Sequence, residues 1–250
     1  MNNTQKSAFL HYAKAARIIS LKHYPIPKKT DLIAKRLFDL VFSLLVVIFL
    51  LSWLLPILAL LIKITSKGPV FFIQKRTGAN GQPFNCIKLR SMVVNKQANF
   101  VQAKSDDPRI TKIGKFLRLT CMDELPQFIN VLIGNMSIVG PRPHMISDCE
   151  KFSNVVQNYH ARYQVKPGIT GIAQVKGYRG ATNDYFDIFH RYKWDMFYVR
   201  NLSIKLDIQI LKLTISNTFL NIISRYLHKL SKEYTTSYHF NRIKSKEYLN

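Results

Sequence analysis

From Leu40 to Ile62 the chain carries no charged residue and is dense in Leu, Ile, Val and Phe. As a straight helix rising about 1.5 Å per residue, such a run is long enough to cross a hydrocarbon core of about 30 Å. Elsewhere the periods are shorter. Val70 to Gln74 and Pro83 to Arg90 read as two strands joined through the Asn80-Gly81 turn signal, a β-hairpin. Ile110 to Leu119 reads as a helix carrying Lys112, Lys115 and Arg118. Leu125, Phe128, Ile129, Leu132 and Ile133 then recur at helical spacing before Gly134, a natural stop. That pattern predicts a helix with Asp123 as N-cap, Pro126 in the first turn and the apolar face turned inward. A short apolar run from Asn135 to Val139 is stopped by Gly140-Pro141-Arg142-Pro143, and residues 148–164 read as a helix carrying Arg162. Lys166 to Gln174 is a Gly-rich turn whose small residues permit a close backbone approach. Tyr185 to Tyr198 reads as a helix containing Asp195, and Leu202 to Ile223 fits either a core helix or one lying in a membrane interface. The fold class is α+β: a mainly helical domain with a small β-hairpin, behind an N-terminal membrane helix and with interfacial amphipathic helices.

Charge decides how the apolar run is used. Lys35 and Arg36 precede it, Lys63 and Lys67 follow it, and the positive-inside preference assigns both flanks to the cytoplasm. Pro56 lies within the run and removes a backbone hydrogen bond, while Ser52 is positioned to bond a freed carbonyl. A re-entrant helix that bends near Pro56 and returns to the same face satisfies both flanks. A single span with a mild kink is the alternative. Four regions follow: a basic amphipathic extension over 1–33, the membrane helix-break-helix over 34–66, a catalytic domain over 67–218, and a basic aromatic tail over 219–250. The extension has neither the apolar core nor the cleavage site of a signal peptide.

The chain has 250 residues, with 37 Lys plus Arg against 14 Asp plus Glu, a formal charge of +23. That excess points to a polyanionic partner: nucleic acid, an anionic membrane surface or phosphorylated substrates. Three cysteines without CxxC spacing argue against a disulfide framework and against a zinc site.

Among these cations one adjacent acid pair, Asp123-Glu124, has catalytic prospects, with Arg118 just upstream. An Asp and Glu at a helix start are also ordinary capping chemistry. Arg142, stiffened by two prolines, suits a phosphate clamp or a plain tight turn. No Walker A, HExxH or nucleophile-elbow pattern occurs. Cations at this density neutralise a pyrophosphate, and acids among them call for a metal ion or a nucleophilic task. Phosphoryl transfer onto a lipid-linked acceptor fits those parts.

The ordered motifs Lys35-Arg36-Leu37-Phe38-Asp39, Gly68-Pro69-Val70-Phe71-Phe72, Gln74-Lys75-Arg76-Thr77-Gly78, Lys88-Leu89-Arg90-Ser91-Met92, Asp107-Pro108-Arg109-Ile110-Thr111, Asp123-Glu124-Leu125-Pro126-Gln127, Gly140-Pro141-Arg142-Pro143 and Lys166-Pro167-Gly168-Ile169-Thr170-Gly171 resemble the bacterial sugar transferases. These are monotopic polyprenyl-phosphate hexose-1-phosphate transferases, and the resemblance covers roughly Ala34 to Thr214. It implies that Asp123 attacks the β-phosphorus of a UDP-sugar, expels UMP and holds the phosphosugar until undecaprenyl phosphate takes it. Glu124 would hold Mg²⁺ with Asp123 or orient the nucleophile. Arg118, Arg142, Lys166, Lys88 and Arg90 would bind substrate phosphates, and Gln174, Asp195 and Thr170 would contact the nucleotide or support those that do. The implied setting is the cytoplasmic face of the bacterial inner membrane, at the start of capsule, exopolysaccharide or O-antigen assembly. Downstream glycosyltransferases and a second copy of the chain are the implied protein partners, with no nucleic acid. The chain departs from the family at Leu55-Pro56, where Ser-Pro is frequent, at Lys166 for Arg, at Ile172 for Trp, and at Ala181-Thr182 for Glu-Thr. His144-Met145 and Tyr178-Arg179-Gly180 are similar to members that transfer glucose or galactose 1-phosphate.

Charge and aromatics alone would also suit a membrane-anchored basic protein that binds nucleic acid or anionic lipid without catalysis. A degenerate transferase serving as an assembly scaffold is a third reading.

Overall fold

The computed structural model describes residues 29–95, 103, 107–180 and 184–247, with side chains to residue 227. Most of the basic extension, much of the polar loop after Asn95, and Ala181-Thr182 lie outside the described residues.

Helix α1 runs without interruption over Lys29–Thr65, 37 residues, and by length and composition could cross a membrane. The helix continues through Pro56, where the sequence predicts a bend. Its irregular point is upstream, a π-helical turn at Val47–Leu51. There the Ser52 N–H donates to the Val47 carbonyl, one residue further back than in an α-helix. Side chains serve the carbonyls this disturbs: Ser52 Oγ donates to the Ile48 oxygen at 2.6 Å and Trp53 Nε1 to the Phe49 oxygen at 2.9 Å. Satisfying backbone groups internally is what an apolar solvent demands.

Both ends of α1 pack on the same domain. Near its start, Lys35 meets Asp207 at 2.6 Å and Asp39 accepts from the Ile138 N–H at 3.1 Å. Near its end, Leu58 and Ile62 are buried with Leu89 and Leu117. Arg90 closes that end, donating to the carbonyls of Ser66, at 2.8 Å, and Lys67.

The hairpin is present as β1 (Phe71–Thr77) and β2 (Pro83–Leu89), paired antiparallel from Phe71↔Leu89 to Thr77↔Pro83. Asn80 takes φ 54° at the turn, as its short polar side chain permits. Helix α2 (Lys112–Thr120) starts on Thr111, whose hydroxyl accepts from the Gly114 N–H at 3.0 Å, and ends where Cys121 turns left-handed at φ 60°. Helix α3 (Gln127–Ile133) ends on Gly134.

A second sheet was not expected from the sequence. Strand β3 (Ser137–Val139) pairs in parallel with β4 (Gly168–Thr170), so the Gly-rich turn is in part a strand. A Cβ on Gly168 would overlap the Gly140 backbone, the close approach that the small residues there were read to permit. The segment read as one helix over 148–164 divides into α4 (Ile146–Val155) and a 3₁₀ turn at Tyr159–Gln164, parted by Asn158 at φ 59°. A single turn, α5 (Ile172–Val175), leads to α6 (Tyr185–Arg200), whose N-cap Asp184 accepts from the Phe186 N–H. Helix α7 spans Ile204–Glu247, so most of the basic aromatic tail continues as helix. Its first turns bury Asp207 and Ile210, while Ile215, Phe219 and Leu220 are exposed. The main core gathers Val131, Met136, Val139, Tyr159, Tyr198 and Val199 between the small sheet, α3 and α6.

Candidate active site

Asp123 is not the N-cap of α3. It sits with Glu124 in a 3₁₀ turn, Met122–Glu124, between the left-handed Cys121 and Pro126, the residue that caps α3. With only 7 residues, α3 supplies little dipole, and the positive potential at the pair comes from side chains. The inward face of α3 is also not the apolar one. Gln127, Asn130 and Val131 are buried, whereas Ile133 is 65% exposed and Phe128 meets the Phe42 ring of α1. Asn130 turns inward because β2 needs it: its Oδ1 accepts from the Ile87 N–H at 3.0 Å and its Nδ2 donates to the Asn85 oxygen at 2.8 Å.

The two acids have opposite environments. Glu124 is buried and ringed by cations: Lys88 Nζ and Arg142 Nη2 each lie 2.7 Å from Oε1, and Arg179 Nη2 lies 3.7 Å from Oε2. Burial alone would raise its pKa, but the charges of Arg142 and Lys88 outweigh it and hold the carboxyl well below the usual range. Arg142 shows the converse. Burial would lower it, and the Glu124 charge and hydrogen bond raise it instead. Asp123 is half-buried and makes no hydrogen bond or ion pair among the described residues. Burial, then the Glu124 charge, push its pKa up, while Lys88, Arg118 and Arg142 act in the other direction from nearby.

Arg142 is held from behind. Arg162 is fully buried on the 3₁₀ turn and donates from Nη2 to the Arg142 carbonyl at 2.7 Å. The same guanidinium pairs with Asp195 of α6 at 2.7 Å. His144 lies in this layer with Tyr159, Arg162 and Arg191 around its ring nitrogens. Burial and the charges of Arg162 and Arg191 hold that imidazole neutral. Arg191 in turn donates to the Gly180 oxygen at 2.8 Å, steadying the segment that carries Arg179.

Of the residues expected at the site, Asp123, Glu124, Lys88 and Arg142 are brought together. Arg118 stands near, donating to Ser91 Oγ at 2.9 Å and to Met92 Sδ. The others serve elsewhere. Arg90 caps α1 rather than facing the acids, and Lys166 lies beside Arg36 at the far end of α3. Thr170 bonds Thr214 at 2.7 Å, tying β4 to α7, and Gln174 donates to the Ile169 oxygen. Asp195 acts through Arg162, and Pro56 stays within α1. Arg179 was not anticipated as a cation of the pair, because Tyr178-Arg179-Gly180 has no periodicity to place it. For Mg²⁺, the described residues hold no group of three acidic, His or Cys ligands. The available donor is the free carboxylate of Asp123, beside a Glu124 that already shares its oxygens.

Fold and site define a class: a predominantly helical domain with two small sheets, a long apolar helix docked on it, and an acid pair set among cations. Direct comparison then gives the family. Residues 30–221 match the model of the bacterial sugar transferase family, and the chain belongs to that family. It is 47% identical over 192 residues to a UDP-glucose:undecaprenyl-phosphate glucose-1-phosphate transferase of Klebsiella pneumoniae, covering 76% of this chain and 41% of that protein. A transferase of the same name from Escherichia coli (strain K12) is 46% identical over 75% of this chain and 40% of its own length. One from Caulobacter vibrioides is 40% identical over 76% of this chain and 72% of its own length. The chain thus spans well under half the length of the first two.

Proposed function

We propose that this protein transfers a hexose 1-phosphate from a UDP-sugar to undecaprenyl phosphate, releasing UMP, at the cytoplasmic face of a bacterial membrane. The observation that carries this reading is the contrast within the pair: Glu124 is occupied by Lys88, Arg142 and Arg179, while its neighbour Asp123 is unpaired among the described residues. A carboxylate kept free of hydrogen bonds among cations is poised to attack an anion that those cations draw in. In the first step an Asp123 oxygen bonds to the β-phosphorus as the bond from that phosphorus to the bridging oxygen breaks, and UMP leaves. In the second, a phosphate oxygen of undecaprenyl phosphate attacks the same phosphorus, freeing the Asp123 carboxylate and yielding a diphosphate-linked sugar lipid. Arg142 and Lys88 neutralise the phosphates, and Arg179, the most exposed of the three cations at 40%, can leave Glu124 for the substrate. Mg²⁺ would be held by the Asp123 carboxylate with water and substrate phosphates, beside a Glu124 engaged by its cations, and would supply further neutralisation of the pyrophosphate. The names of the relatives support glucose as the sugar.

Same-face anchoring is supported by the docking of α1. Asp39 and Leu58 would stand roughly 28 Å apart along a straight helix at about 1.5 Å per residue, close to the hydrocarbon thickness. A single span would put them on opposite faces, yet one polar domain packs on both. The π turn and Pro56 are the two departures from regular helix that would absorb the bend.

A nucleic-acid or lipid binder would account for the charge but gives no task to an unpaired acid. The test is UMP release by the purified chain with Mg²⁺, undecaprenyl phosphate and a panel of UDP-sugars, for wild type and Asp123→Asn. Turnover is expected from wild type with UDP-glucose and none from the variant, with a phosphosugar adduct trapped on the Asp123 peptide by mass spectrometry. Normal activity in Asp123→Asn would overturn the assignment.

A further inference from the structure

The end of α3 remote from Asp123 holds a second cluster of cations. Gly134 closes that helix at φ 102°, and the point a Cβ would occupy lies 3.6 Å from Arg36 Nη2 and 3.7 Å from Lys166 Nζ. Among the described residues, and apart from the glycine's own neighbours, no other atom comes within 4 Å of that point. Two cations therefore face one open cradle.

Their other partners leave them available. Arg36 donates to the Val131 and Leu132 carbonyls, at 2.7 and 3.2 Å, which removes the negative end of α3 from the cradle. A guanidinium has five N–H donors, so others remain. Lys166 is half-buried and has no hydrogen bond or ion pair among the described residues. The nearby acid, Asp39, is committed to the Ile138 N–H at 3.1 Å and to Lys35 at 3.8 Å. Burial and then the Arg36 charge lower the pKa of Lys166, a cost that a bound anion would relieve.

Depth along α1 indicates which anion. Arg36 lies one helical turn before Leu40, where the uncharged run begins, roughly 6 Å along the axis at about 1.5 Å per residue. The headgroup layer extends about 5–7 Å beyond the hydrocarbon on each side. Close in the chain to Arg36 and Gly134, Ile33, Leu37 and Ile133 are 62%, 63% and 65% exposed. Phosphate chemistry at the cations thus adjoins apolar surface suited to acyl chains.

We propose that Arg36 and Lys166 bind the phosphate of an anionic phospholipid headgroup over Gly134, separate from the Asp123 site. This rests on the membrane-anchored reading above. The bound lipid would fix the depth of α3, and so the height of the acid pair above the bilayer.

The test uses the full chain. Partition into vesicles of phosphatidylcholine with phosphatidylglycerol is measured first, then native mass spectrometry from mixed micelles counts retained lipid. Wild type is expected to retain one phosphatidylglycerol in preference to phosphatidylcholine. Lys166→Gln should cut that retention about tenfold, Lys166→Arg should preserve it, and the exposed remote Lys193→Gln should not change it. Failure of wild type to partition would overturn the membrane reading and this site with it. Normal partition with equal retention in Lys166→Gln and wild type would overturn the site alone. Retention of undecaprenyl phosphate but not phosphatidylglycerol would make the cradle an acceptor subsite and overturn the phospholipid assignment, as would displacement by millimolar inorganic phosphate.

Discussion

Arg162 holds Arg142 by its backbone: the Arg162 Nη2 donates to the Arg142 carbonyl at 2.7 Å while its Nε and Nη2 pair with Asp195. The clamp on Glu124 therefore depends on an ion pair formed away from the acids. Asp195→Asn should lower kcat by roughly tenfold to a hundredfold, the scale of an ångström-sized misplacement at a reacting centre, with a smaller change in KM. Steady-state UMP release resolves the two, and an unchanged kcat would show that Arg142 keeps its place unaided.

The pH dependence of turnover should report Asp123. Burial and the Glu124 charge raise its pKa above the ordinary 3.8, and transfer needs it ionised, so kcat rises with pH through that raised value. Glu124→Gln removes the like charge and should move the acid limb to lower pH, whatever it does to the maximal rate. A limb that stays in place would mean another group controls it.

Stability should respond to Glu124 in the opposite sense. Its pKa is held well below the ordinary 4.5, so its contribution is fully present above the unfolded value and is lost as pH falls through the folded one. Wild type should lose stability progressively below about pH 4, and Glu124→Gln should flatten that part of the curve. Denaturant unfolding in detergent at stepped pH measures it.

Lys35 and Asp207 form a buried pair at 2.6 Å, with the Tyr198 hydroxyl donating to Asp207 at 2.7 Å. Asp207→Ala leaves the buried Lys35 with the longer Asp39 contact at 3.8 Å and should cost up to about 3–5 kcal/mol. Replacing both by apolar residues, Lys35→Met with Asp207→Leu, should restore only part of the loss, because Asp39 then keeps the Ile138 N–H but loses its cation. Thermal unfolding of the single and double variants decides this.

Asn130→Ala removes an acceptor from Ile87 N–H and a donor from the Asn85 carbonyl at the edge of β2. About 1–3 kcal/mol is expected for each group left unsatisfied. Hydrogen exchange at the Ile87 amide should accelerate by at least tenfold.

Local chemistry carried much of this protein in its sequence. The uncharged run, the Asn80-Gly81 turn, the existence of α2, the Gly134 stop and the extent of α6 were legible because each depends on neighbours in the chain. Motif order was enough to name the family, and it put Asp123, Glu124, Lys88 and Arg142, which the fold brings together, within a longer set of candidates. Long-range pairing was not legible. A strand as short as Gly168–Thr170 exists only because Ser137–Val139 lies beside it, and Asn130 faces inward because a distant strand edge needs its amide. Cations illustrate the limit most clearly. The sequence counts them but cannot say which acid or carbonyl each will meet. Tertiary structure turned Arg90 to the end of α1, sent Lys166 to Arg36, recruited Arg179 to Glu124 and left Asp123 unpaired among the described residues. An ion pair is set by distance in space, and spacing along the chain fixes that distance only within an element.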